Sequence, residues 1–416
     1  MPPLFLARSR RFLSFIGSFT LVVFLSTTAT ADIVTGQWVS STGGTWGDAS
    51  NWSSLIAPNG VGHEATLPQV GTGTSTRTIE LDSDVVLGAL VMERSGHAYE
   101  IVSGGTQRLI FENEQGPARL DIRSQLGERN LAVRSLVEMR SDLSIATGSS
   151  NHFSFLEGGL DNSQGHTLNV DGFLRFALSG PQSHGVGARL ILDGTQLEVR
   201  SNLGAGGANL DVTVRGGELR LGYVDPENLG QDLKSIVVRG GTLRPHSSMT
   251  VTEGIRLEGG VMEGIQTQIT GSLINVGGRF EAKNNSAFVL TGDFVQGPLG
   301  TLAFELSDLA TLIPPFVNGN VTLGGTLDLD YLRYTPLLGD QFTLIQVADD
   351  FSINGEFDAF PGRVINGDLR WRVDYSPSTV SITAVPEPGS VALLVGLALL
   401  GVTGTRVRRK AGRGWN

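Results

Sequence analysis

The chain has 416 residues, and glycine supplies 56 of them, nearly twice its usual share of about 7%. Lysine and arginine number 31 against 41 aspartates and glutamates, which gives a formal net charge of −10, and no cysteine occurs. The glycines do not recur at every third residue, which excludes collagen. A hydrophobic share of 40% argues against wholesale disorder. The lack of cysteine excludes disulfides and thiolate metal sites.

The first predicted element is a secretory signal peptide over residues 1–31. An apolar stretch over residues 12–25 ends in Ala29-Thr30-Ala31, a small-residue site that predicts cleavage before Asp32. The basic residues ahead of the apolar stretch are Arg8, Arg10 and Arg11. The alternative is an N-terminal membrane anchor, but the apolar run is short and no stop-transfer pattern follows it. We therefore expect an exported mature chain that begins at Asp32.

Residues 32–155 are predicted to form an N-terminal cap and the first coils of the fold. Trp38, Trp46 and Trp52 are three of the five tryptophans of the chain. Their order resembles the opening of secreted bacterial β-helix proteins with autotransporter-type repeats. An open coil end exposes core and unpaired strand edges, so bulky indoles are suited to cover it. The alternative is a carbohydrate-stacking surface made by the same three indoles, which requires their faces to be exposed.

Residues 156–300 carry a repeated junction in which glycine separates two short apolar runs. Residues 214–219 read VRGGEL and residues 238–243 read VRGGTL, and the alternation on either side predicts strands with one buried face. Related junctions begin at positions 156, 170, 192, 214, 238, 257 and 276, so that after the first interval they recur every 19 to 24 residues. A repeat of this length predicts one solenoid turn per unit.

These patterns predict an all-β fold, a right-handed parallel β-helix with β caps at both ends. The glycine pairs would occupy corners that need a positive φ. The alternative is a set of independent β-hairpins in a sandwich, where Gly-Gly is also a legitimate turn. Residues 301–384 are predicted to be the C-terminal β cap, because the runs over 319–329 and 371–375 resemble the folding cap that precedes the tail in many such proteins.

Residues 385–410 form a tail of three parts. Val385-Pro386-Glu387-Pro388 is a stiff, extended entry, since each proline fixes φ and disfavours a helix before it. Residues 391–405 are uncharged and predict a short apolar helix of about 22 Å, less than the roughly 30 Å of a bilayer core. A basic cluster follows at once, made of Arg406, Arg408, Arg409 and Lys410.

The order of these parts, with Pro386, Glu387 and Pro388 as its motif, resembles the PEP-CTERM sorting signal of Gram-negative bacteria. The resemblance implies recognition by an exosortase, a membrane protease-transpeptidase, and passage of the body to the cell exterior. During an inner-membrane intermediate the basic cluster would stay cytoplasmic by the positive-inside rule. We then expect the protein at the cell surface or in the extracellular matrix. The alternative is a plain single-span membrane tail.

Removal of both ends changes the charge of the remaining chain. Residues 1–31 hold three arginines and no acid, and residues 386–416 hold five basic residues and one glutamate. Residues 32–385 therefore keep 23 basic and 40 acidic residues, a net charge of −17. Such a surface repels nucleic acid, so no nucleic-acid partner is expected.

The sequence offers little for catalysis. None of the six histidines lies in an H-E-x-x-H motif, and neither a G-x-S-x-G elbow nor a phosphate-binding P-loop is present. We therefore expect no metal, cofactor or catalytic residue. The favoured function is a non-enzymatic, exported structural or adhesion protein, with exopolysaccharide as a possible partner. The alternatives are a sugar-binding protein and a polysaccharide lyase or glycosidase, for which an acidic and basic cluster along one lateral groove would be the mark.

Overall fold

The computed structural model describes residues 32–387, apart from gaps at 69–74, 94–97, 124–130, 149–152, 173–174, 204–207, 223–229, 266, 284–286, 308–312, 332–333 and 367. In this part of the chain the regular structure is 40 β-strands and two short 3-10 helices. The predicted all-β fold is confirmed.

The strands are numbered here in chain order. Those of the first third are β1 Thr35–Gln37, β2 Gly44–Thr45, β3 Glu64–Leu67, β4 Arg77–Leu81, β5 Val85–Leu87, β6 Ala89–Met92, β7 Tyr99–Ser103, β8 Arg108–Phe111, β9 Ala118–Ile122, β10 Leu131–Val133, β11 Leu136–Met139, β12 Leu143–Thr147 and β13 Phe153–Leu156. Those of the middle third are β14 Leu160–Asn162, β15 Thr167–Gly172, β16 Arg175–Leu178, β17 Gln182–His184, β18 Arg189–Asp193, β19 Gln196–Val199, β20 Asp211–Val214, β21 Glu218–Leu221, β22 Gln231–Leu233, β23 Ser235–Val238, β24 Thr242–Pro245, β25 Met249–Val251 and β26 Ile255–Leu257. Those of the last third are β27 Val261–Gly264, β28 Thr267–Thr270, β29 Leu273–Asn275, β30 Arg279–Ala282, β31 Phe288–Thr291, β32 Phe294–Gln296, β33 Thr301–Leu306, β34 Phe316–Asn318, β35 Val321–Leu323, β36 Thr326–Tyr331, β37 Gln341–Val347, β38 Ile353–Gly355, β39 Leu369–Tyr375 and β40 Thr379–Pro386. The 3-10 helices are Ala49–Asn51 and Pro361–Arg363.

The strands stack into four sheets whose order shows a parallel β-solenoid. A first sheet of 14 strands runs from β1 to β38, and a second sheet of 13 strands runs from β2 to β36. The remaining strands form a sheet of five, which ends at β17, and a sheet of eight, which begins at β22. Neighbours in each sheet come from successive turns of the chain and pair in parallel until the C-terminal end is reached. The hairpin sandwich is therefore wrong, because hairpins would pair antiparallel.

Identical register between turns builds the core. Leu190 of β18 pairs with Val212, which pairs with Ile236, and the column continues through Ile255 and Leu273. Every member of this column is at most 1% exposed. Because inward side chains of one turn lie directly on those of the next, each turn buries apolar surface that it could not bury alone.

The repeated glycines lie at one corner of successive turns. Gly217 and Gly241 are the second glycines of their junctions, with φ of +72° and +67°. A Cβ atom on Gly217 would lie 2.1 Å from the carbonyl oxygen of Thr195 in the preceding turn, and one on Gly241 would lie 2.5 Å from that of Gly217. Glycine is needed here both for the left-handed backbone and for the close approach of one turn to the next, as the repeat predicts.

The parallel stack ends in an antiparallel hairpin. β40 lies between β37 and β39 and pairs antiparallel with both. Trp371 of β39 is fully buried, so the hairpin covers apolar core that the last turn would otherwise expose.

The domain limits expected at residues 155 and 300 stay predictions. β13 runs across the first position, and β33, just past the second, pairs in parallel with β30.

Candidate functional site

The C-terminal tail is joined to the folded body without a spacer. Pro386, the last residue of β40, lies opposite Leu369 of β39. The backbone N–H of Glu387 donates a 2.9 Å hydrogen bond to the carbonyl oxygen of Asp368. The first two motif residues therefore continue the strand. Pro388 lies outside the described residues.

A proline is compatible with this strand because its missing N–H is not needed there. Antiparallel strands use the backbone groups of alternate residues toward one neighbour. The bond from Glu387 to Asp368 shows that the backbone N–H of Glu387 points toward the β39 side. The backbone groups of the adjacent Pro386 therefore point toward the opposite side of β40. Pairing between β40 and β37 on that side stops at Thr383. Pro386 thus occupies an edge position, where strand prolines are tolerated.

The partner of this strand end is a tight turn held by one side chain. The Oδ1 atom of Asn366 accepts hydrogen bonds from the backbone N–H groups of Asp368, at 2.9 Å, and Leu369, at 3.0 Å. The carbonyl oxygen of Leu369 in turn accepts the N–H of Ile365 at 3.0 Å. Asn366 therefore fixes the backbone against which the start of the motif is paired.

Several predicted site residues lie outside the described part of the chain. They are Ala29 and Ala31 of the cleavage site, the apolar helix over 391–405, and the cluster of Arg406, Arg408, Arg409 and Lys410. Asp32 is the first described residue and is exposed. Between Asp32 and Glu387, gaps apart, no helix is long and apolar enough to cross a membrane.

The three N-terminal tryptophans form one buried cluster. Their exposed fractions are 0%, 1% and 0% for Trp38, Trp46 and Trp52. The ring of Trp52 lies edge-on to that of Trp38, with centroids 5.2 Å apart, and 4.8 Å from that of Trp46. Each indole N–H donates to a carbonyl oxygen: Trp38 to Ser40 at 3.1 Å, Trp46 to Pro58 at 2.9 Å, and Trp52 to Trp46 at 2.7 Å.

The burial of the three indoles contradicts the sugar-stacking alternative for these residues. Stacking on a sugar requires an open indole face, and all three faces are covered by protein. Their N–H groups are also used internally, so no donor is left to orient a ligand. Buried indoles with satisfied N–H groups are what a cap over the first turn needs.

An acidic and basic cluster does lie along one lateral face of the second sheet. We call it the ion-pair ladder, and it consists of Glu198, Glu218, Arg220, Arg244 and Glu263. Glu218 lies between two arginines, 2.8 Å from Arg220 and 2.6 Å from Arg244. Arg220 is also 3.6 Å from Glu198, and Arg244 is 2.8 Å from Glu263. The ladder crosses four turns, on β19, β21, β24 and β27.

The carboxylates of the ladder are shielded and neutralised by arginine. The side chains of Glu198 and Glu263 are only 2% and 11% exposed. A glycosidase needs a carboxylic acid whose pKa is raised so that it can protonate the leaving group. Among the described residues outside the ladder, two carboxyl groups instead have a lowered pKa. A hydrogen bond from Arg108 lowers the pKa of Asp84, and hydrogen bonds from Arg256 and Arg239 lower that of Glu258.

These ion pairs were not identified from the sequence. A local signal was present, since Glu198 and Arg200, and likewise Glu218 and Arg220, are two residues apart on one strand. That spacing puts both side chains on the same face of the strand. Pairing between turns could not be found this way, because it depends on the register of strands about 20 residues apart in the chain.

A further concave feature of the described residues is small. A cavity of about 230 Å³ at the C-terminal end is lined in part by Phe357, Phe360 and Tyr375. It is below the roughly 300–1,000 Å³ of typical small-molecule sites. Within the ranges that the structure describes, no three His, Asp or Glu side chains are grouped so that they could hold a metal ion.

Comparison with known families assigns the tail. The model of the PEP-CTERM protein-sorting motif matches residues 384–410. A comparison with curated proteins finds no significant match to this chain. The matched region begins at the buried Ala384 of β40 and includes Pro386, Glu387 and Pro388. The chain is thus a parallel β-solenoid that ends in a PEP-CTERM sorting motif, the signal of an exported protein that an exosortase recognises and that is directed to the cell surface.

Proposed function

We propose that the protein is a non-enzymatic structural or adhesion component of the cell surface or extracellular matrix. The observation that carries the proposal is the junction of the sorting motif with the final strand of a parallel β-solenoid. In this proposal the buried Trp38–Trp46–Trp52 cluster is the cover of the first turn, and the β39–β40 hairpin is the cover of the last. A body of this kind can present a large outer surface while it keeps its core dry.

The ion-pair ladder supports a structural role over a catalytic one. Its arginines lie against carboxylates at 2.6 to 3.6 Å, so neither charge type is left for a substrate. Two facing carboxyl groups of a glycosidase must instead differ in protonation. The polysaccharide lyase or glycosidase remains the rival function, and the ladder is one cluster of acidic and basic side chains where its chemistry could be tested.

The proposed route has an inner-membrane intermediate. The signal peptide over 1–31 opens export, and the apolar segment over 391–405 then holds the chain in the membrane. The basic cluster that follows this segment stays on the cytoplasmic side. The exosortase then takes the motif, and the acidic body passes outward. In the matrix, exopolysaccharide is the proposed contact.

The export test compares the full chain in a bacterium that has an exosortase with the same strain lacking it. We expect C-terminal shortening and surface or medium localisation only where the exosortase is present. Glu387→Gln should reduce the shortening, whereas Glu356→Gln, at an exposed glutamate of the body, should not. Equal processing and location in both strains would overturn the sorting route.

The enzymatic rival has its own test. Purified protein spanning 32–387 is incubated with a panel of acidic and neutral polysaccharides, and unsaturated and reducing ends are measured. We expect no release. Reproducible release that Glu263→Gln abolishes, but that Glu253→Gln at an exposed position leaves unchanged, would establish an enzyme and refute the structural proposal.

A further inference from the structure

The sorting motif and the folded body share residues. The matched motif begins at Ala384, and the structure pairs residues 384–386 with β39. The N–H of Glu387 adds one more bond, to Asp368. A recognition protein that reads an extended segment uses its backbone groups as well as its side chains. In β40 the backbone groups that face β39 are already engaged.

We propose that the end of β40 acts as a latch on the sorting motif. Val385, Pro386 and Glu387 must separate from residues 368–370 before the exosortase can engage the complete motif. The stability of this short strand pairing then sets the rate at which the exosortase engages the motif. The inference rests on the proposed sorting function and adds a regulatory step to it.

The hydrogen bonds limit how far the strand can open. Ala384 is held on its other side, since its N–H donates to Asp340 at 2.8 Å and its carbonyl accepts from Gly339 at 2.9 Å. The side chain of Ala384 is also buried, at 1% exposure. Residues 385–387 have β39 as their strand neighbour and lack the β37 pairing that ends at Thr383. Short strand ends with one neighbour open at low free-energy cost, so separation can stop at Ala384 without loss of the core.

A disulfide across the latch tests the proposal directly. The chain has no cysteine, so Arg370→Cys with Val385→Cys creates one possible bond between two opposed residues. The matched control is Asp374→Cys with Ser381→Cys, an opposed pair in the same hairpin and on the same face, four residues farther from the motif. Full-length variants are followed in membranes that contain the exosortase, with and without a reductant, and loss of the tail is measured by mass.

The two disulfides should behave differently. We expect the oxidised 370–385 bond to slow loss of the tail at least tenfold relative to its reduced form. The oxidised 374–381 bond should change the rate less than twofold. Equal rates for the oxidised and reduced 370–385 variant would overturn the latch.

A second variant makes the opposite prediction and needs no disulfide. Asn366→Ala removes the acceptor of two turn hydrogen bonds and leaves the motif sequence intact. It should speed loss of the tail severalfold and speed hydrogen exchange at the Glu387 amide. Asn354→Ala, at an exposed position of β38, is the control and should do neither. An unchanged rate for Asn366→Ala with faster exchange at Glu387 would also refute the latch.

Failure of the latch and failure of the sorting route are distinguishable. If the unmodified chain loses its tail only with exosortase, but the 370–385 bond has no effect, the latch alone is wrong. If the unmodified chain is never processed by exosortase, the sorting route is wrong and the latch falls with it.

Discussion

The indole N–H of Trp371 donates a 2.7 Å hydrogen bond to the hydroxyl of Tyr331. The bond joins the closing hairpin, through β39, to β36, the last strand of the second sheet. Trp371 is fully buried, and its ring packs edge-on to Phe342 with centroids 5.9 Å apart. Two separate sheets are therefore tied together at the end from which the sorting motif leaves.

Tyr331→Phe should destabilise this end. The change keeps the ring but leaves the buried indole N–H without its acceptor, which costs about 1–3 kcal/mol. We expect the free energy of unfolding in urea to fall by that amount, with an unchanged β-sheet circular dichroism spectrum at zero urea. Val364→Ala, at an exposed apolar residue nearby, should cost less than about 0.5 kcal/mol. Equal stability of Tyr331→Phe and the parent would show that the bond is not formed.

The glycine corner can be tested with two glycines of equal φ. Gly217 and Gly116 both have φ of +72°, but a Cβ atom would meet the Thr195 carbonyl at 2.1 Å in the first case and nothing within 4 Å in the second. Gly116→Ala should cost about 1–2 kcal/mol from the left-handed backbone alone. Gly217→Ala should cost clearly more, because turns must also move apart. Similar losses in thermal unfolding for the two variants would exclude the close approach.

His184 should make the fold sensitive to mild acid. Its side chain is 4% exposed, and neither ring nitrogen has a hydrogen-bond partner among the described residues. Burial lowers the pKa of His184 from 6.5 to about 4, although the charge of Asp161 opposes the shift. Between pH 6.5 and about 4, the unfolded chain therefore binds a proton at this histidine, whereas the folded chain does not. Stability from this residue is complete above pH 6.5, falls as the pH drops toward 4, and is about 3 kcal/mol smaller below that.

His184→Leu should flatten that part of the pH dependence. Urea unfolding of the parent and of His184→Leu at pH 7.5, 5.5 and 4.5 checks this. The loss between pH 7.5 and 4.5 should be smaller in His184→Leu than in the parent by up to about 3 kcal/mol. A parent-like slope in His184→Leu would assign the acid sensitivity to other groups.

The ion-pair ladder should depend on Arg244. Removal of its guanidinium in Arg244→Ala leaves Glu218 and the shielded Glu263 without this partner, at a cost of about 1–3 kcal/mol. Arg372→Ala breaks an exposed pair with Asp374 and should cost under about 1 kcal/mol. Unfolding at low and high salt compares the two variants. A loss in Arg244→Ala no larger than in Arg372→Ala would mean that the ladder contributes little.

Much of the fold could be predicted because each turn repeats the same local sequence pattern. The alternation around Val214 and Leu219 gives the buried faces, and the glycine pairs mark the corners. Stacking of such turns brings like positions into register, as in the column from Leu190 to Leu273. The sorting tail could be predicted for a related reason, since its three parts lie in order along the chain and need no tertiary contact.

The rest depends on contacts between distant segments. Exposure of Trp46 is decided by the chain that passes over it, including the carbonyl of Pro58 that its indole binds. The partners of Arg244 come from other turns. The overlap of the motif with a strand could not be predicted either. The proline pattern of 385–388 indicates an extended segment, but it does not indicate which strand pairs with that segment. Pro386 reads equally well as a linker or as the end of β40.

The register of the stack gives the body a natural unit of length. Ile236 pairs directly with Ile255, so the chain from 236 to 254 makes one full circuit of 19 residues. Deletion of that circuit would set Ile255 against Val212, apolar on apolar, whereas deletion of one residue would turn the strand over. Span can thus change in steps of one circuit, about 4.8 Å each, while the tryptophan cap and the sorting end stay as they are. The length of the solenoid is therefore a quantity that gain or loss of whole circuits can adjust.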